Sequence, residues 1–461
     1  MILTILLVHL ILSHMTQKEA LDMLKLGHNV FLTGPAGSGK TYLLNQYIQY
    51  LKENKIAVGI TASTGIASTH MGGTTIHSWS GIGIRDILHE KDISDLMKRQ
   101  YLRNRFKKTR VLIIDEISML HAHRLDLVDA LCRVFKQNSI PFGGMQVIMC
   151  GDFFQLPPVV KRDKTENAVQ VSEESQFVTN SNIWNDMQLE ICYLEEQHRQ
   201  DDRAFLRVLN DIRNSEVSEM TYEYLSERLD KDTKGYVNPT RLFTHNADVD
   251  AINTKHLEEL EGEGHEYLMN WRGSFGLTEI LKKSCLAPPT LVLKKGAQVM
   301  LVKNNYEEGY VNGTLGEVIG FDKSDLPIVR TFDGSEITVR QADWEVREED
   351  KEVAAISQLP LRLAWAITVH KSQGMSLDAA EIDLSRSFIP GMGYVALSRV
   401  RSLAGLKLMG LNQMALQVNQ AVAEMDREFL QRSNDGIMYL AKLDKEKKVQ
   451  KQKDFLQYLK D

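Results

Sequence analysis

The sequence predicts an α/β chain with two halves, each built on a mostly parallel sheet, and a small all-β insertion in the second half. Three observations lead there. The apolar run Asn29-Val30-Phe31-Leu32-Thr33 feeds the octet Gly34-Pro35-Ala36-Gly37-Ser38-Gly39-Lys40-Thr41, and Tyr42 to Ile48 reads as the helix leaving it. A second run, Arg110-Val111-Leu112-Ile113-Ile114, ends in Asp115 and Glu116; a strand apolar on both sides suits a parallel sheet covered on both faces. From Lys294 to Trp344 the pattern changes to short β runs separated by Asn312-Gly313 and Asp333-Gly334, pairs that favour hairpin turns.

The octet fits G-x-x-x-x-G-K-[ST] at every position, in the strand-to-helix context that the motif requires. Its glycines let backbone N–H groups turn towards phosphates, and the helix N-terminus adds a positive partial charge at the same point. Lys40 is then the cation for the β and γ phosphates, and the Thr41 hydroxyl a ligand of Mg²⁺. The chain is therefore read as an ATP or GTP binder.

A length of 461 residues allows two to four domains. A net charge of −6 with 25% charged residues gives no global basic signature, so a polyanion would have to meet a local groove. Cys132, Cys150, Cys192 and Cys285 are far apart and form no C-x-x-C pair, which argues against a zinc or iron–sulfur site and for a reducing, cytoplasmic setting. Residues 1–14 are mostly apolar, too short to span a bilayer and without a basic leader; no membrane association is expected.

Along the first half, Ala57 to Ala62 reads as a strand followed by the hydroxyl-rich Ser63-Thr64 and the turn-rich Gly72 to Trp79. That segment could contact a phosphate backbone or simply cap local turns, and His77 and Trp79 could stack a base or pack locally. Lys98 to Lys108 is a basic stretch that reads as a solvated helical face. Asp115 is placed to hold Mg²⁺ through water and Glu116 to polarise the attacking water, since phosphoryl transfer needs positioned charge. Met145 to Cys150 is a further buried strand, and Gln155 in Gly151-Asp152-Phe153-Phe154-Gln155 lies where an amide can sense the γ-phosphate. These units describe one RecA-like domain over residues 15–185.

In the second half, an amphipathic helix carries Phe205, Leu206, Leu209 and Ile212 on one face, and Thr240 to Asn246 reads as a strand entering a loop. Leu363 to Val369 is a buried strand or strand–helix junction ahead of His370-Lys371-Ser372-Gln373-Gly374, and a helix follows around Tyr394 to Arg401. The Lys-rich tail from Lys442 reads as a solvated helix.

Taken in order, the octet, Ile60 to Ala67, Ile114 to Leu120, Gly151 to Val159, Gln197-His198-Arg199-Gln200, Ala366 to Gly374 and Tyr394 to Arg399 resemble the PIF (petite integration frequency) family of superfamily one DNA helicases. The resemblance implies two RecA-like P-loop motor domains closing on ATP and Mg²⁺, 5′-to-3′ movement, and binding to single-stranded and partly duplex DNA as a monomer or weak dimer. It implies a domain at 15–185 with a small insertion near 64–108, a second at 186–300 and 360–435, an SH3-like β-barrel at 301–359 and a charged helix at 436–461. By position, Gln17 matches the adenine-reading glutamine, Arg199 and Arg399 the two arginines that reach the γ-phosphate, and Gly374 falls among the nucleotide-binding residues. Thr64, His77, Thr244 and Lys371 lie in or beside segments that look like the single-strand-binding ones. The family more commonly has Phe or Trp where this chain has His198. A RecD-like subunit of a repair complex shares most of these motifs, and a nucleotide switch or an idle binding module would need fewer of them.

Overall fold

The computed structural model describes residues 14–83, 85–158, 177–197, 202–233, 239–243, 249–305, 307–331, 334–348, 351–369, 372–373 and 375–461. The chain begins with α1 (Gln17–Lys25), fixed at its start by a capping box. Glu19 N donates to Thr16 Oγ1 at 3.2 Å, and Thr16 N to Glu19 Oε2 at 2.9 Å. There follow β1 (Val30–Thr33), α2 (Lys40–Glu53), β2 (Val58–Ala62), α3 (Gly65–His70), β3 (Thr74–Thr75), α4 (Ile76–Ser80), α5 (Glu90–Met97) and α6 (Gln100–Lys108). Then come β4 (Val111–Asp115), α7 (Ala122–Lys136), β5 (Gln146–Cys150), α8 (Asn182–Asp186) and β6 (Glu190–Tyr193). The six strands form one parallel sheet in the order β3-β2-β4-β5-β1-β6. β1 and β5 are buried along their whole length, as unbroken apolar runs between two helical layers should be.

The second half opens with α9 (Arg203–Arg213) and α10 (Glu219–Ser226). On α9, Phe205, Leu209 and Ile212 are buried as their spacing predicts, and Val208 is buried with them while Leu206 is half-buried. Next are β7 (Thr240–Phe243), α11 (Val249–Glu259), β8 (His265–Leu268), β9 (Asn270–Gly273), α12 (Phe275–Ser284), β10 (Thr290–Leu293), β11 (Gln298–Leu301), β12 (Leu315–Phe321), β13 (Pro327–Thr331), β14 (Glu336–Thr338), β15 (Ala342–Glu348), β16 (Lys351–Gln358) and β17 (Leu361–Leu363). The chain ends through β18 (Ala366–Thr368), β19 (Ala380–Leu384), α13 (Met392–Leu397), β20 (Leu406–Leu411), α14 (Gln420–Lys442) and α15 (Lys445–Lys460).

A four-stranded parallel sheet, β18-β7-β19-β20, forms the core of this half. Everything between β7 and β18 is antiparallel: the pair β8-β10, the sheet β14-β13-β12-β11-β17 and the sheet β15-β16-β9. Gly313 (φ +95°) and Gly334 (φ +92°) sit at the two predicted turns. The five-stranded sheet runs in hydrogen-bonding order from β14 to β17, and it already includes β11, which starts at Gln298.

The tail differs from the solvated helix expected of it. α14 crosses back to the first sheet, where Tyr193 N on β6 donates to Ser433 Oγ at 3.1 Å. α15 then lies on α1: Lys448 Nζ and Gln452 Nε2 each bind the Asp22 carboxylate at 3.0 Å, and Phe455 packs where a Cβ on Gly27 (φ +91°) would stand 2.5 Å away. Lysines occupy the outward face, while the apolar residues of the other face close the first core.

The two halves also share a buried cation. Arg213, at the end of α9, donates to Asp152 Oδ1 (2.8 Å), Asp426 Oδ1 (3.1 Å) and the Tyr193 hydroxyl (2.9 Å), with its guanidinium 4.0 Å over the Phe154 ring. Burial works against its charge, but Asp152 and the other acidic partners more than offset this and hold its pKa up. The Tyr394 hydroxyl on α13 accepts from Arg213 at 3.3 Å and from Ala36 N of the phosphate loop at 3.2 Å.

Replacing Arg213 by Met keeps the volume but strands two carboxylates, so the variant should lose about 3–5 kcal/mol and melt well below the wild type. Adding Asp426→Asn should recover part of that loss in thermal unfolding; a double variant no better than the single one would refute the charge-pairing account.

Candidate active site

β1 delivers the chain to the phosphate loop, and a close approach fixes the first glycine. Gly34 has φ +134°, and a Cβ there would lie 2.0 Å from Leu194 O, so no other residue fits. Gly39, at φ +83°, is the N-cap of α2. The first N–H groups of α2 have no carbonyl one turn back to bond, and they carry the positive end of the helix dipole, which suits a phosphate. Lys40 Nζ donates to Gly34 O (2.8 Å), Pro35 O (2.9 Å) and Ser38 Oγ (3.4 Å), and burial pulls its pKa down. Thr41 is exposed at the next position, and Gln17 is half-buried at the first residue of α1. That helix is fastened to α2 through the Tyr47 hydroxyl, which donates to Leu24 O at 3.1 Å.

At the end of β4, Asp115 Oδ1 accepts from Glu116 N at 2.9 Å, and burial raises the Asp115 pKa. Glu116 adopts a left-handed backbone (φ +50°, ψ +44°), rare for a residue with a side chain and found where surrounding contacts enforce it. Those contacts come from Ser63, whose N donates to Asp115 O (3.0 Å) and whose Oγ donates to Glu116 O (2.6 Å). Burial, with the Asp115 charge beside it, pushes the Glu116 pKa up to about 7, against the pull of Arg399 and Lys40.

Gln155 is buried; its Nε2 donates to Asp152 Oδ2 at 3.3 Å, while its Oε1 has no partner among the described residues. An orphaned amide oxygen in a polar cleft fits a site made to engage a further polar group. From the second half, Arg399 is 1% exposed and is held by Val395 O (3.0 Å) and Ser398 Oγ (2.9 Å), and burial lowers its pKa while the Glu116 charge raises it. Gln373 Nε2 reaches across to Glu116 Oε2 at 3.1 Å. The structure thus brings Lys40, Asp115, Glu116, Gln155 and Arg399 into one cleft, with Thr41 at its edge.

The other expected residues are less concentrated. Arg199, Thr244, Lys371 and Gly374 lie outside the described residues. Thr64 Oγ1 accepts from Ala67 N at 3.3 Å, a local turn contact at the start of α3. His77 is half-buried on α4, its Nδ1 has no partner, and burial with the nearby Arg124 and His121 pushes its pKa down to about 4. Trp79 belongs to the core, edge-on to Phe106 with ring centroids 4.9 Å apart. Within the basic stretch, Leu102 and Phe106 are buried, Arg105 binds Trp79 O at 2.7 Å, and Lys107 and Lys108 line an open groove of about 1010 Å³ with Lys55, Arg110 and Lys460. Sequence reasoning missed Arg213 and the hold of Ser63 on Glu116. The only signal for Arg213 was a cation at the end of an otherwise apolar helix face.

The residues present fit MgATP: a phosphate loop whose first position admits only glycine, one lysine, a threonine hydroxyl, a strand-end carboxylate and a buried amide. Among the described residues no cluster of three or more His, Cys, Asp or Glu side chains could hold a metal by itself, so a metal here would also need oxygens of the nucleotide. Among those same residues, no helix is long and apolar enough to cross a membrane.

Known proteins agree with this geometry. The model of the PIF1-like helicase family matches residues 14–223, and that of the DNA helicase Pif1 2B domain matches residues 276–321. The ATP-dependent DNA helicase Pif1 of a Psychrobacter species is 44% identical over 91% of this chain and 74% of its own length. The crystal structure of a Bacteroides Pif1 in complex with ADP-AlF4 superposes with a TM-score of 0.78, at 33% identity over 91% of this chain and 97% of that one. Bacteroides Pif1 in complex with ADP-AlF3 and single-stranded DNA gives 0.63, at 33% identity over 92% and 99%. Likeness of this extent in both sequence and structure makes the chain a member of the PIF1-like helicase family, built on the RecA-like helicase fold.

Proposed function

We infer that this ATP-dependent DNA helicase moves 5′ to 3′ along single-stranded DNA and separates duplex, forked or G-quadruplex DNA ahead of it. The observation that carries this reading is the meeting of both halves at one cleft, where Tyr394 reaches the phosphate loop at Ala36 and Gln373 reaches Glu116. A nucleotide bound there touches both halves, so its arrival and loss can close and open them. Single-stranded DNA in the related Bacteroides structure supports the substrate. The four cysteines are all free, which supports a reducing, cytoplasmic setting. The architecture we propose is two RecA-like motor domains, the first with a small insertion and the second with an SH3-like one.

The division of labour follows from the side chains. Lys40 neutralises the β and γ phosphates, and Gln17 reads the adenine. Thr41 and Asp115 would hold Mg²⁺, which would supply neutralisation of phosphate charge. Glu116 polarises the attacking water, and Gln155 senses the γ-phosphate through its amide N–H groups. Arg399, with Arg199, meets the developing charge from the second domain. Thr64, His77, Thr244 and Lys371 are the proposed contacts to the strand.

Lys40→Ala should abolish both ATP hydrolysis and unwinding. Arg399→Ala should bind a fluorescent ATP analogue nearly as well as wild type but hydrolyse ATP roughly 10³- to 10⁵-fold more slowly, the worth of an arginine supplied across such a cleft. Normal DNA-stimulated turnover in that variant would remove Arg399 from the site. On partial duplexes, unwinding is expected with a 5′ overhang and not with a 3′ overhang; the reverse preference would overturn the polarity.

A further inference from the structure

Glu116 is gripped from both halves, by different parts of the residue. Its backbone belongs to the first half, through Ser63 Oγ on its carbonyl (2.6 Å) and the bond from its own N–H to Asp115 Oδ1 (2.9 Å), with the left-handed φ of +50° locking the turn. Its carboxylate has one hydrogen-bond partner among the described residues, Gln373 Nε2 at 3.1 Å. Gln373 is 7% exposed and sits on the turn that leaves β18. Its neighbour Ser372 is held by three bonds: Ser372 N donates to Thr368 O (3.0 Å), Ser372 Oγ to Val369 O (2.8 Å) and Met375 N to Ser372 O (3.0 Å). The direction of the carboxylate is therefore set by the second half, although the residue itself belongs to the first.

An amide N–H on a carboxylate oxygen occupies a lone pair that a water proton would otherwise use, and hydrogen bonds to charged groups are the strong ones. We propose that Gln373 is a positioning residue that ties the Glu116 carboxylate away from the attacking water, and that binding of single-stranded DNA shifts the second half and draws the amide off. The tie rests on the reading of Glu116 as the water-polarising group. Such a tie would make hydrolysis slow in the free motor and faster on DNA without requiring any part of the nucleotide site to be rebuilt. Gln373 acts only through Glu116, because the Gln373 amide bonds to that carboxylate and carries no proton that a base could take.

The test uses the full chain with MgATP, in the absence and presence of a saturating single-stranded oligonucleotide. Gln373→Ala should raise DNA-free turnover about tenfold, the factor one hydrogen bond to a charged group is worth. DNA-saturated turnover should stay at the wild-type level, so the stimulation ratio shrinks by the same factor, with the affinity for a fluorescent ATP analogue unchanged. Gln373→Asn, one methylene short of reaching Glu116, should behave alike, and it decides the matter if the alanine variant folds poorly. Unchanged DNA-free turnover, or equal falls with and without DNA, would overturn the proposal. Glu116→Gln separates the two claims: retained hydrolysis would sink the role of Glu116 itself, whatever Gln373 does.

Discussion

A single buried cation organises the middle of this molecule. Arg213 is 4% exposed, and a guanidinium at that depth is tolerable only with its charge matched and its donors engaged. Its partners come from the turn after β5, from β6, from α13 and from α14, so satisfying it forces four stretches of chain to meet behind the phosphate loop. Tyr394 carries the contact one step further, to the amide of Ala36. The phosphate loop is thereby connected to both halves before any nucleotide contact is considered.

The same arrangement bears on the proposed opening and closing of the cleft. Within each half the elements are bound by sheet hydrogen bonds and apolar cores, which resist gradual deformation. Between the halves, the Arg213 network and apolar contact such as Phe154 against Tyr394 are joined beside the phosphate loop by two polar contacts, Tyr394 on Ala36 and Gln373 on Glu116. Contacts of that kind are exchanged rather than stretched, which suits an equilibrium between discrete open and closed forms. The first half is meanwhile kept whole by the returning tail, since α14 covers β6 and α15 covers α1. A helix from the end of the chain thus completes a core begun at its start.

One of the strained backbone positions lies where chemistry is expected. Glu116 is in the left-handed region at the end of a central strand, and Ser63 is spent on holding it there. Asp115 and Glu116 sit side by side, and their ionisation is set first by burial, which raises both pKa values, and then by neighbouring charges, Lys40 among them. The hydroxyl-rich segment after β2 has local work: Ser63 supports the turn at Glu116, and Thr64 and Thr75 accept backbone bonds at the starts of α3 and α4.

What the sequence by itself determined was local. The phosphate loop, the two-carboxylate strand end, the buried parallel strands and the glycine turns of the antiparallel region all follow from backbone demands met within a few residues, and each was legible from spacing and residue type. The family resemblance extended that reading to Arg399 across the chain. What only the tertiary structure decided was pairing at a distance. Arg213 finds Asp152 across 61 residues and Asp426 across 213, and Gln373 finds Glu116 across 257. The tail likewise looked solvated because a Lys-rich helix presents the same composition whether or not its apolar face is covered. Local rules are enforced by the chain's own hydrogen bonds, whereas a buried charge chooses partners only when packing brings them within reach, and no spacing in the sequence records that distance.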